Sequence, residues 1–180
     1  MTTDHEILSM YRQGGREEAF RLLVQTYKER LYWHIRRMVL DHDDADDCLQ
    51  NTFLKIWRSF DHFRGDAQLY TWLYRIATNE TLTFLSRQQG RGEYTGLAAA
   101  ERLSSDPWFD GDQVQEALQR AIAQLPPKQK AVFLLRYYEE MPYEKISQIL
   151  ETSEGALKAS YHHASEKVKA QVKEMLEEKY

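Results

Sequence analysis

One cysteine, four prolines and eight glycines are all that 180 residues hold of the residue types that most often staple or punctuate a fold. The lone thiol, Cys48, has no partner for an internal disulfide or a zinc framework, and its place among apolar helix positions makes it a small core side chain. No apolar run approaches the roughly 20 residues that cross a bilayer. The opening MTTDHEILSMYRQGG carries neither a basic n-region nor an apolar h-region, so the chain is expected in the cytoplasm, with no membrane insertion. Positive charge is not in excess either. The formal net charge of −4 argues against a protein that coats nucleic acid through bulk electrostatics; DNA binding has to use local patches or a larger machine that this chain joins. Catalytic signatures are missing as well: no GxSxG, no phosphate-cradling GxxxxGKS/T, no GxGxxG and no cysteine beside a plausible base. Nothing nominates an enzyme, a cofactor or a metal.

What is present is helical periodicity. Hydrophobic content of 42% and charged content of 29% describe an ordinary soluble globular protein, and no segment shows a convincing period-two alternation, so the expected fold is all-α. A short helix over 7–13 ends at Gly14-Gly15. A long one over 16–39 turns Phe20, Leu23, Tyr27, Leu31, Ile35 and Met38 inward. The acidic turn His42-Asp43-Asp44 caps a third helix reaching about Phe60, with Ala45, Leu49, Thr52, Phe53, Ile56 and Phe60 as its buried stripe. A fourth follows Gly65 and runs to about Arg87. From 88 to 111 glycine, serine and Pro107 interrupt the pattern. A second unit begins near Gln113 with Val114, Leu118, Ile122 and Leu125, is stopped by Pro126-Pro127, and continues with helices over 128–139, 143–150 and 154–177. The expected organisation is two small helical domains, 1–88 and 112–180, joined by a flexible linker over 89–111 that lets them close together or spread apart.

Two stretches could carry chemistry. In residues 61–79, DHFRGDAQLYTWLYRIATN, the positions Leu69, Leu73, Ile76 and Ala77 form an apolar face. Gln68, Trp72, Arg75 and Asn79 recur on a neighbouring stripe beside a loop. Aromatic faces stack on unstacked bases at roughly 1–3 kcal/mol each, arginine contacts phosphate or stacks, and asparagine can bond a base edge. The alternative is a half-buried core tryptophan with a solvated arginine beside it. In residues 143–168, YEKISQILETSEGALKASYHHASEKV, a short helix, a polar turn and a longer helix capped by Ser153 have the arrangement of a helix-turn-helix. Leu157, Tyr161, Ala164 and Val168 take its core side. Gly155, Lys158, Ala159, His162 and Glu166 take the opposite side, with Lys158 and His162 placed for a major groove. A plain helical hairpin is the alternative. His162-His163 does not make a metal site, because helix neighbours diverge by about 100° and no second ligand cluster exists. The acidic run Asp43, Asp44, Asp46, Asp47 lacks the glycine and distal glutamate of a calcium loop.

Taken together, DDADDCLQNTFLKIW, the 61–79 stretch and the segment from ALQRAIAQLPPKQ to the end of the helix-turn-helix resemble the extracytoplasmic-function (ECF) group of bacterial sigma factors over nearly the whole chain. The resemblance implies a sigma-2-like domain that binds core RNA polymerase and reads and melts the minus-10 element. It also implies a sigma-4-like domain that reads the minus-35 element of promoter DNA. By position, Asp47, Gln50, Asn51 and Leu54 would contact the polymerase. Phe63, Arg64, Gly65, Asp66 and Gln68 would form the loop that captures a flipped base, at a cost of a few kcal/mol per base. Trp72, Arg75 and Asn79 would support the opened strand, and Glu154, Gly155, Lys158, Ala159 and His162 would meet the minus-35 duplex. An anti-sigma factor is a further partner that the resemblance admits. The chain departs from the family in carrying Ser160, His163 and Ser165 where arginines are usual, and Met141-Pro142 where a turn glycine is usual. A self-sufficient helix-turn-helix regulator or a protein-binding helical adaptor are the rival readings.

Overall fold

Most elements are fixed by a local stop or start signal that can be read from their ends. The computed structural model describes residues 3–65, 67–92 and 112–178, and among these it has eight α-helices, one 3-10 turn and no strand. Helix α1 (Asp4–Arg12) opens on a capping box: Glu6 N–H donates to the Thr3 hydroxyl at 3.3 Å and Thr3 N–H to the Glu6 carboxylate at 2.9 Å. That box starts the helix three residues before the apolar pattern does. It ends at Gly14, whose φ of +90° is left-handed backbone that favours glycine. Helix α2 (Arg16–Val39) is closed by Leu40 in the left-handed region at φ 67°, a strained position held by burying that leucine to 5% exposure. Asp41 caps α3 (His42–Ser59) by accepting from Asp44 N–H at 3.0 Å, and a 3-10 turn follows at Phe60–His62. Helix α4 (Leu69–Gly90) extends past the expected end at Arg87.

In the second unit Asp112 caps α5 (Gln113–Ala123), Pro127 occupies the first turn of α6 (Pro127–Tyr137), Pro142 precedes α7 (Tyr143–Leu150), and Ser153 caps α8 (Glu154–Glu177). Helix α5 stops before Leu125 and Pro126 rather than at the prolines. Val114, expected inward, is 54% exposed, because Ala117, Ala121 and Ile122 supply the buried face. Phe20, Phe53 and Ile76, also expected inside, are half-buried at the edge of the core.

Helices α1 to α4 pack around Leu23, Leu31, Ile35, Ile56 and Leu73, all fully buried. Helices α5 to α8 pack around Ala131, Leu135, Ile146, Leu157 and Ala164. Burying one such aliphatic side chain stabilises by roughly 1.5–3 kcal/mol. Polar groups are enclosed too. His34 donates or accepts at Thr78 Oγ1, 2.9 Å away, and burial, with the Arg37 guanidinium second, holds its imidazole down to about 3. Burial likewise pushes the Cys48 thiol up to about 12, so the thiol stays protonated and inert.

The two units lie against each other, α7 on α4 and α6 on α2 and α4. Lys130 of α6 is fully buried there and donates from Nζ to the Met38 carbonyl at 3.2 Å, one of the last-turn acceptors of α2. Arg37 of α2 lies 4.1 Å over the Tyr138 ring.

Candidate nucleic-acid interface

The loop between the 3-10 turn and α4 is anchored by aromatic rings. Phe63 lies 5.1 Å from Trp72 and Phe60 lies 6.3 Å from it, while Tyr11 of α1 meets Phe60 edge-on at 4.4 Å. The entry to the loop is pinned as well. Asp61 accepts from the Tyr11 hydroxyl and from Arg16 Nε at 3.3 Å, and the Arg16 guanidinium lies 3.8 Å over Trp57. Accepting the Tyr11 hydroxyl, foremost, lowers the Asp61 carboxyl below its usual value.

The stripe Gln68, Trp72, Arg75 and Asn79 exists as spaced, with Gln68, Arg75 and Asn79 exposed and Trp72 half-buried. Both readings of the tryptophan therefore meet in one residue: one part of its ring packs on Phe60 and Phe63 and the rest stays accessible. Arg64 and Gly65 are exposed on the loop and Asp66 lies outside the described residues. Beside them opens a cleft of about 580 Å³ lined by Phe63, Gly65, Gln68 and Tyr70 and, from α1, by His5 and Arg12. The α1 pair is absent from the sequence-based residue set; the signal that could have found it is the close pairing of α1 with this loop through Tyr11, which no local pattern reveals. Two stripe members are already bonded within the chain. Gln68 Oε1 accepts from Lys145 Nζ of α7, and Arg75 forms an ion pair with Glu151 at the end of α7.

On α8 the faces divide as the spacing requires. Leu157, Ala164 and Val168 are buried and Tyr161 half-buried, while Glu154, Gly155, Lys158, Ala159 and His162 are all exposed. Ser153 holds the helix start by accepting from Ala156 N–H at 3.2 Å. Exposed small residues at Gly155 and Ala159 leave the backbone open to close approach, and Lys158 supplies an exposed cation. On α3, Asp47, Gln50 and Asn51 are exposed and Leu54 is 51% exposed on the same stripe, opposite buried Cys48, Thr52 and Ile56. An exposed leucine rimmed by polar side chains suits a protein contact. Among the described residues, His42, Asp43 and Asp46 are the group with metal-ligand reach, but His42 is already bonded to Tyr32 at 2.6 Å and to Asp46 at 3.3 Å.

These surfaces have counterparts in known proteins. Residues 23–91 match Sigma-70 region 2, and residues 115–168 match Sigma-70 region 4. The chain is 29% identical to the RNA polymerase sigma-H factor of Pseudomonas aeruginosa, over 92% of each chain. It is 28% identical to the ECF RNA polymerase sigma-E factor of Haemophilus influenzae, over 97% of each. Among solved structures, the sigma factor RpoE in complex with the anti-sigma factor NepR from Bartonella quintana shares the fold. Its TM-score is 0.67 at 21% identity, over 86% of this chain and 96% of that one. CnrH in complex with the cytosolic domain of CnrY aligns at a TM-score of 0.70 and 23% identity, over 95% and 98%. With both regions present in this order, and with full-length relatives on either side, the chain belongs to the extracytoplasmic-function group of the sigma-70 family.

Proposed function

We propose that the chain binds core RNA polymerase and directs it to one class of promoter, with residues 1–88 reading and melting the minus-10 element and residues 112–180 reading the minus-35 element. In this reading the α3 stripe of Asp47, Gln50, Asn51 and Leu54 docks on the polymerase. Phe63, Arg64, Gly65, Asp66 and Gln68 receive the flipped base. Trp72, Arg75 and Asn79 hold the opened strand, and Glu154, Gly155, Lys158, Ala159 and His162 face the duplex upstream. The protein performs no catalysis of its own and works in the cytoplasm. No described helix is long and apolar enough to cross a membrane.

The physical division follows from the surfaces. A melted strand offers π-faces and phosphates, which an anchored tryptophan and an arginine can engage. A duplex offers a groove that admits a helix with a small-residue face. An anti-sigma factor is a proposed further partner, since the solved relatives RpoE and CnrH are held by NepR and by CnrY. The observation that carries this reading is the match to sigma region 2 and region 4 in one chain, each containing its exposed candidate face. Transcription in vitro with bacterial core polymerase and a promoter library tests it. Start sites that depend on this protein are expected; their complete absence would leave the reading without support.

A further inference from the structure

The loop between the 3-10 turn and α4 exposes Arg64 and Gly65, and Gly65 stands at a φ of +81°, backbone that favours glycine. A loop of this kind takes its shape from its two ends. The far end is the start of α4, where Leu69 is 2% exposed. At the near end, side chains from α1 and α2 converge on the 3-10 turn, and neither of them belongs to the proposed contact set.

Arg16, the first residue of α2, is the centre of that convergence. Its Nη2 donates at 2.5 Å to the carbonyl of Trp57, in the last turn of α3, and its Nε donates to Asp61 at 3.3 Å. The guanidinium lies 3.8 Å over the Trp57 ring, which Phe20 of α2 meets edge-on at 5.0 Å. Asp61 also accepts from the Tyr11 hydroxyl, and the Tyr11 ring packs on buried Phe60 at 4.4 Å. Tyr11 and Arg16 reach one carboxylate because the turn between α1 and α2 is tight. Gly14 N–H donates to the Tyr11 carbonyl and Gly15 N–H to the Met10 carbonyl, both at 3.1 Å, and a side chain at Gly15 would meet that Met10 oxygen at 3.2 Å.

A lone exposed ion pair holds little. Arg16 holds more, because one planar fork joins the end of α3 to the turn that follows it, with an aromatic ring beneath. The direction in which the chain leaves α3 is thereby set. It carries into the loop two residues later, where Phe63 lies 5.1 Å from Trp72.

We propose that Tyr11 and Arg16 are positioning residues for base capture: by holding Asp61 against the end of α3 they set the course of the loop, and so the discrimination of one minus-10 base, without touching DNA themselves. This rests on the assignment of the loop as the base-capturing element. A captured base gains affinity only while the loop has its competent shape, and an uncaptured base gains none. Discrimination therefore falls by the same factor as the competent fraction.

The test uses the full chain with core polymerase, carrying Tyr11→Phe and Arg16→Lys together. Phenylalanine keeps the ring on Phe60, and lysine keeps the charge but lacks the fork that bonds the Trp57 carbonyl and Asp61 at once. Net charge is unchanged, so non-specific attraction to DNA is held constant. Transcription from a promoter library randomised across the minus-10 element gives the base preference at each position. The expected result is about fivefold loss of preference at one position, with the other positions keeping theirs. Tyr11→Phe alone, which removes a single hydroxyl, should show about twofold loss at the same position. Preference retained everywhere would overturn the proposal. An equal loss at every position would overturn it too, since the contacts would then serve only the fold, and a lowered thermal unfolding midpoint would register that. If the parent chain also gives no protein-dependent start site, the sigma reading falls with the proposal; if the parent transcribes and the variants discriminate as it does, only the positioning role falls.

Discussion

Along the stripe of α4 and its N-cap, three of four side chains are already engaged: Trp72 against Phe60 and Phe63, Arg75 with Glu151, and Gln68 with Lys145. On α8, Glu154, Gly155, Ala159 and His162 stand exposed and Lys158 only leans toward the Tyr143 ring at 5.8 Å. In the proposed reading the contrast follows from what each surface would hold. An unstacked base is gripped by a rigid aromatic platform, and rigidity requires neighbours. A groove is entered by a smooth helix whose cations act at longer range. With Ser160, His163 and Ser165 beside Lys158 the α8 face carries little positive charge, and in the proposed reading its contribution to DNA affinity is expected to be the smaller of the two.

The same contrast extends to the buried ionisable groups, and the largest expected effect lies in the first unit. His34 is neutral when folded, at about 3, and ordinary at about 6.5 when unfolded, so the unfolded chain binds more protons between those values. Its stability contribution is complete above pH 6.5 and is lost as pH falls. Urea unfolding at pH 4.5 should show about 3 kcal/mol less stability from this group than at pH 7, and His34→Gln should flatten that part of the dependence. An unaltered pH profile in the variant would place the acid sensitivity elsewhere.

The second unit responds to base. Burial pushes the Lys130 ammonium down to about 8, below its ordinary value of 10.5, so the folded chain releases this proton first and gains stability as pH rises from 8 toward 10. A gain of about 2 kcal/mol is expected over that interval, and Lys130→Met should remove it. Persistence of the gain in the variant would detach it from this residue. The smallest effect is expected on α8. Lys158→Ala should weaken binding of the holoenzyme to minus-35 duplex by about 1 kcal/mol and lower the salt dependence by about one phosphate contact. Neutrality of that substitution would mean that the outward face of α8 has been assigned wrongly.

Much of this could be read directly from the chain. Pro142 and Ser153 bracket α7 and set the start of α8, and the expected bounds of both helices coincide with those observed. The apolar stripe Leu157, Ala164, Val168 placed the opposite face toward solvent for the same reason. The start of α1 was hidden because Thr3 and Glu6 cap the helix without any apolar residue between them. Val114 misled because period four continues through it, whereas alanines do the packing in α5. Lys130 and His34 are the informative misses. Both occupy positions in line with apolar neighbours, Lys130 between Pro127 and Phe133 and His34 between Leu31 and Met38, so a polar residue on a core stripe was the available signal. The pairing of α7 with α4 was not legible at all. It depends on how two units approach, and Arg75 and Glu151 are 76 residues apart in sequence.

In the proposed reading the α4 stripe acts on melted DNA and the α8 face on duplex DNA. Its most direct test measures, for holoenzyme carrying Trp72→Ala or Asn79→Ala, the equilibrium for initial duplex binding and the rate of promoter opening on the same template. The account predicts near-normal initial binding with opening slowed at least about tenfold, the equivalent of one lost stacking or base-edge contact. Equal loss in both steps would contradict it, because the stripe would then serve only the fold or the duplex.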